Sequence, residues 1–170
     1  VLANSLINVV NPDYVSYSSY DATNPYKSEA EVNKSLKTAL SFLQEQLQEK
    51  PGLPAGKRVW IGEYGNPSAK YSDEEQNTRS LWTIKTGLEW GTPFILYWEM
   101  YNNEINSETG EHIGYWLITD AGKKQPIWHT HNQFYKESNL YLTNYIQTHN
   151  DTPSFDQFRE AALTFNSLNP

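Results

Sequence analysis

The sequence predicts an α/β fold built from parallel strands. Three observations carry this. Short apolar or β-branched runs alternate with longer segments of helical periodicity, in the order strand, helix, strand, helix, strand, helix. The second and third runs, Val59-Trp60-Ile61-Gly62 and Phe94-Ile95-Leu96-Tyr97-Trp98, are almost continuously apolar, as strands covered on both faces are. Each link between runs is long enough for a crossover helix, which parallel pairing requires.

The elements follow in chain order. Val1 to Val10 reads as the end of a helix. Asn11-Pro12 interrupts it, and Asp13 to Tyr20, rich in Tyr and Val, reads as a first strand. Ser28-Glu29-Ala30-Glu31 is a capping box, and Val32, Leu36, Leu40, Leu43 and Leu47 follow at helical spacing. Lys50-Pro51-Gly52 stops that helix. Lys57 to Tyr64 is the second strand, ended by Gly65, Asn66 and Pro67. Ser72-Asp73-Glu74-Glu75 opens a second helix with Leu81, Ile84 and Leu88 as its apolar stripe, closed at Gly91. Phe94 to Met100 is the third strand. A polar loop, a short extended piece from Gly114 to Thr119 and a turn at Asp120 to Gly122 lead to Pro126, placed for a helix's first turn. Ser154 to Gln157 caps a last helix, with Phe155, Phe158, Ala162 and Phe165 expected on one side.

Composition narrows the function. The chain has 170 residues and no cysteine, which excludes disulfides, thiolate metal sites and a cysteine nucleophile. A net charge of −7 argues against nucleic-acid binding, which needs a basic face. No apolar run reaches the ~20 residues of a membrane helix. Twelve Tyr and six Trp stand out in a chain of mean hydropathy −0.71. Such rings pair an apolar body with a polar handle and suit a groove for polar ligands; a Tyr-rich core and surface is the plainer account. His129 and His131 are two apart, so they do not share a helix face, and no metal site is expected. No Gly-rich phosphate loop follows a strand. The sequons Asn33-Lys34-Ser35 and Asn150-Asp151-Thr152 are short patterns of low specificity.

Parallel strands with intervening helices fit either an open doubly wound sheet or part of a (β/α)8 barrel. In both, active residues sit at the C-terminal ends of strands. Those ends carry Ser18, Ser19 and Tyr20, then Glu63 and Tyr64, then Trp98 and Glu99. Strict alternation puts Glu63 on the side of Val59 and Ile61. A carboxylate there is costly for stability unless paired with an arginine or with backbone donors. Trp98 shares a face with Phe94 and Leu96, either as a platform for a sugar ring or as a core Trp. Tyr20 shares parity with Ser18 and is within reach of Glu63, or else caps the sheet edge. Glu99 has the opposite parity from Trp98 and suits a supporting or surface role. Asp21 reads as a turn residue.

These motifs, in this order from Asn11 to Tyr135, resemble the C-terminal part of a (β/α)8 glycoside hydrolase. The similarity is to the retaining clan whose catalytic glutamates end the fourth and seventh strands. Val59-Trp60-Ile61-Gly62-Glu63-Tyr64-Gly65 looks like the clan's seventh strand, and Phe94 to Trp98 its eighth. Ser18-Ser19-Tyr20 keeps the Tyr of the sixth-strand pattern but has Ser where His is common. Gly114 to Asp120, Gly122 and Pro126 are similar to the segment before the last barrel helix.

The resemblance implies a partial barrel of about strands six to eight over residues 1–149 and a helical extension over 150–170. It implies hydrolysis of β-linked oligo- or polysaccharide with Glu63 as nucleophile, Tyr20 holding it, Trp98 under the sugar, and Tyr64 and Asn66 on the rim. No cofactor is needed. A full barrel takes about 250 residues, and the fourth-strand Asn-Glu pair has no counterpart here. The initial Val1 and a lone internal Met100 suggest a processed or excised chain. The acid/base would then come from a missing N-terminal barrel half or a second chain. A secreted, periplasmic or cell-surface setting is the expectation. The alternative is a non-catalytic carbohydrate-binding or assembly domain derived from such an enzyme.

Overall fold

A computed structural model describes residues 2–23 and 26–169. It is a mixed α/β fold with a three-stranded parallel sheet and, among the described residues, five α-helices. The chain divides into two compact units, Val1–Tyr64 with Trp82–Trp98, and Gly65–Leu81 with Glu99–Pro170. No helix of the described residues is long and apolar enough to cross a membrane.

The first unit holds helix α1 (Leu2–Val10), strand β1 (Val15–Ser18), helix α2 (Glu29–Glu45), strand β2 (Val59–Tyr64), the last half of helix α3 (Asp73–Trp90) and strand β3 (Ile95–Tyr97). The sheet order is β1-β2-β3, all parallel. Helix α2 starts where the capping box places it: the Glu31 carboxylate accepts from the Ser28 backbone N–H at 2.8 Å and from its hydroxyl at 2.7 Å. Its stripe of Val32, Leu36, Leu40 and Leu43 is buried. Each such side chain contributes about 1.5–3 kcal/mol by leaving water. Helix α3 comes close to the sheet at Gly87, where an added Cβ would lie 2.7 Å from Ile95 Cδ1 and 3.0 Å from Ile61 Cδ1. Polar ties link α2 to the end of α3: Lys37 to Glu89 at 2.6 Å and Trp90 Nε1 to Ser41 at 2.9 Å.

The two faces of this sheet differ. Val59, Ile61 and Tyr64 point to the helix-covered side and are fully buried. Ser16 and Ser18 are exposed on the other side, with Leu96 51% exposed on β3 and Phe94 58% exposed just before it. The third strand is shorter than its sequence suggests, three residues against seven. Its ladder with β2 runs only from Ile95 to Tyr97, across the same register irregularity that interrupts β2 between Ile61 and Tyr64.

In the second unit, Ser72 and Glu75 cap the start of α3 reciprocally, at 3.0 and 3.2 Å. Buried Gln76 donates to the backbone oxygens of Asn66 and Gly114, tying the loop after β2 to the loop before α4. Gly114 to Thr119 forms isolated bridges rather than a strand. His112 sits between Asn102, 2.6 Å away, and Asp120, 2.9 Å away. Helix α4 (Pro126–His149) begins on Pro126 and ends on Asn150 in the left-handed region, φ 53°. Helix α5 (Phe155–Ala162) is capped by Ser154 and Gln157. Phe165, expected on that helix, lies beyond its end, where it meets Phe134 of α4 at 5.7 Å between ring centroids.

Candidate functional site

The candidate site lies at the C-terminal end of β2, in the first unit. Strands β1 and β2 pair residue for residue from Val15↔Val59 to Tyr17↔Ile61, and then the register jumps, so that Ser18 pairs with Glu63. The same irregularity appears toward β3, between Ile61↔Ile95 and Tyr64↔Tyr97. Gly62 and Glu63 therefore form a β-bulge between two residues that both face the helices. A bulge inserts one residue and breaks the alternation. This corrects the parity drawn from the sequence. Glu63 stands on the open face with Ser18, not with Val59 and Ile61.

Gly62 sits at the bulge in close approach to β1. A Cβ there would collide with the Ser16 hydroxyl and come within 3.2 Å of Ser16 Cβ. The backbone beyond is tied closely: Ser19 N–H donates to the Glu63 carbonyl at 2.8 Å, and the buried Ser19 hydroxyl donates to the same oxygen at 3.0 Å.

The Glu63 carboxylate is half-buried and accepts from two hydroxyls. Ser18 Oγ donates to Oε1 at 2.9 Å and Tyr20 Oη to Oε2 at 3.4 Å. Neighbouring Tyr17 donates to Asp21 Oδ1 at 2.5 Å. Burial, with the Asp21 carboxylate beside it, drives the Tyr17 hydroxyl far above the usual phenol range, so it remains a donor. Asp21 also accepts from the Ala22 N–H at 2.9 Å, which makes it the turn residue expected of it.

Trp98 is half-exposed just past β3, and its backbone N–H donates to the Tyr64 carbonyl at 2.8 Å. It therefore stands in register beside the residue that follows Glu63. Tyr64 and Asn66, expected on the rim, are placed elsewhere. Tyr64 is fully buried on the helix side, edge-on to Tyr97 at 5.2 Å, because the bulge that turns Glu63 out turns Tyr64 in. Asn66 is 3% exposed in the second unit, its amide donating to Ser80 at 3.1 Å. Glu99, also in the second unit, accepts from the Asn103 N–H at 3.1 Å, a loop-supporting role.

Sequence reasoning passed over Ser18 as a partner of Glu63. The available signal was a second hydroxyl at the same strand end, two residues before Tyr20 and of the same parity. Chemically, the cluster is a carboxylate oriented by two hydroxyls on an open face, with half-exposed Trp98 joined to the next residue, Tyr64, through the backbone. Comparisons with family models, curated proteins and solved structures find no match to this chain.

Proposed function

We propose that this chain carries the nucleophile half of a retaining β-glycosidase site, on part of a (β/α)8 barrel. The observation that carries the reading is the Glu63 carboxylate, turned by the bulge to the open face at a strand's C-terminal end and held by hydroxyls on both oxygens. A purely structural Glu would gain from an arginine or from backbone donors, and the hydrogen bonds given to its carboxylate come from hydroxyls instead. In this reading Glu63 attacks the anomeric carbon, Tyr20 holds the carboxylate, and Trp98 stacks under the sugar ring.

The bond balance is simple. A carboxylate oxygen bonds to the anomeric carbon as the glycosidic C–O bond breaks, and the electron pair leaves with the departing oxygen. Natural alcohols need a proton at that moment, from a carboxylic acid about 5 Å from the nucleophile in retaining enzymes. A dinitrophenyl leaving group does not, because its phenolate is already stable.

A panel of 2,4-dinitrophenyl β-glycosides mixed with the chain is therefore expected to release a burst of about one dinitrophenolate per chain. The sugar should remain on Glu63 by peptide mass spectrometry. Glu63→Gln should abolish both while sugar binding persists. Wild-type protein with no burst on any sugar of the panel would sink the reading.

The exposed face with Phe94 and Leu96 favours a second reading, a non-catalytic domain that uses this surface to bind carbohydrate or assemble with another chain. That reading expects sugar binding or association with no burst.

A further inference from the structure

Two hydroxyls hold Glu63, and they do not hold it equally. The Ser18 bond to Oε1 is 2.9 Å, an ordinary length for a hydroxyl on a carboxylate. The Tyr20 bond to Oε2 is 3.4 Å, at the weak end of the range.

The two donors also differ in stiffness. Ser18 has one side-chain torsion before its oxygen, and its backbone is tied to Glu63 by the ladder and by the residue that follows it. Its Cα is the ladder partner of Glu63, and Ser19 binds the Glu63 carbonyl through both its N–H and its hydroxyl. Tyr20 reaches the carboxylate at the end of a long arm from the turn after β1. Oε1 is thus the anchored oxygen, with a lone pair committed to a short bond. Oε2 is the freer one.

We propose that Ser18 is a positioning residue that pins Oε1 of Glu63 and so makes Oε2 the oxygen that attacks the anomeric carbon. This rests on the glycosidase reading. Ser18 does not touch the sugar. It fixes the rotation of the carboxylate about its last torsion, which is part of holding a nucleophile in a near-attack geometry. A serine hydroxyl does so without adding a charge of its own to the face where an oxocarbenium-like centre forms.

The test uses the full chain as wild type, Ser18→Ala and Ser18→Thr, with glutamate labelled by ¹³C at the carboxyl carbon and the Glu63 signal assigned by its loss in Glu63→Gln. Ser18→Ala should move the Glu63 carboxyl signal, and Ser18→Thr, which keeps the hydroxyl, should leave it near the wild-type position. With dinitrophenyl glycosides, Ser18→Ala should slow the burst roughly tenfold at saturating sugar, with half-saturation little changed, and Ser18→Thr should restore it to within about twofold. A wild-type burst with an equally fast Ser18→Ala burst overturns the positioning role and leaves the glycosidase reading standing. An unmoved carboxyl signal in Ser18→Ala overturns the role whether or not a burst is seen. No wild-type burst overturns the glycosidase reading and the role with it; a shifted carboxyl signal would then mark a structural hydrogen bond only.

Discussion

Replacing Gly62 by alanine places a Cβ against the Ser16 hydroxyl, so the Ser16 side chain must rotate away or one of the two strands must give. The expected cost is about 1–3 kcal/mol, the usual range for overpacking. Ser16→Ala removes the colliding oxygen and leaves a tight 3.2 Å contact to Cβ. The double variant should therefore recover most of the loss, measured by urea denaturation of both singles and the double. An additive pair would mean that the bulge is not held by this approach. At this scale the sequence was a partial guide. Glu63 stood out because a charge at the end of an apolar run is costly without a purpose. Its face could not be read, because alternation assumes a regular strand, and the register shift shows itself only in the pairing of β2 with its neighbours. The same shift explains Tyr64, which alternation places on the rim and the bulge turns into the core.

The helices were legible element by element, because their signals are local. All three capping boxes start helices at the expected residues, and Pro126 begins α4. The approach of α3 to the sheet was not legible. Gly87 reads as an ordinary helix weakness, yet Ile95, Ile61 and Thr92 stand within 3.1 Å of where its Cβ would be. Gly87→Val should destabilise the chain by about 1–3 kcal/mol, seen as a lower thermal midpoint. Helix α4 carries a pH-sensitive residue. Burial pushes the His131 imidazole down to about 4. In the unfolded chain it titrates near 6.5, so between those values the unfolded state binds more protons than the folded. The stability His131 contributes is fully present above about pH 6.5 and is lost as pH falls through about 4. The loss should be of order a few kcal/mol at most. Denaturation at pH 7 and at pH 4.5 should record it, and His131→Phe should flatten the difference.

For the molecule as a whole, the asymmetry of the sheet can be tested by paired substitutions. Ile61 is fully buried, and Ile61→Ala should cost about 2–5 kcal/mol. Leu96 is half exposed on the opposite face, and Leu96→Glu should change stability by less than about 0.5 kcal/mol, as calorimetry can check. A large loss at Leu96 would mean that the face is covered in solution. By itself the sequence determined the element order, the helix starts, the parallel βαβ pattern and the strand end that bears Glu63. These follow from periodicity, caps and turn residues, which act over a few positions along the chain. Only the tertiary structure decided that Glu63 meets Ser18 as well as the expected Tyr20, that Tyr64 and Asn66 are buried, and that one sheet face stays open. Those outcomes depend on register and close approach between separate segments, from 14 residues apart for Asn66 and Ser80 to 45 for Ser18 and Glu63, and no local pattern encodes them.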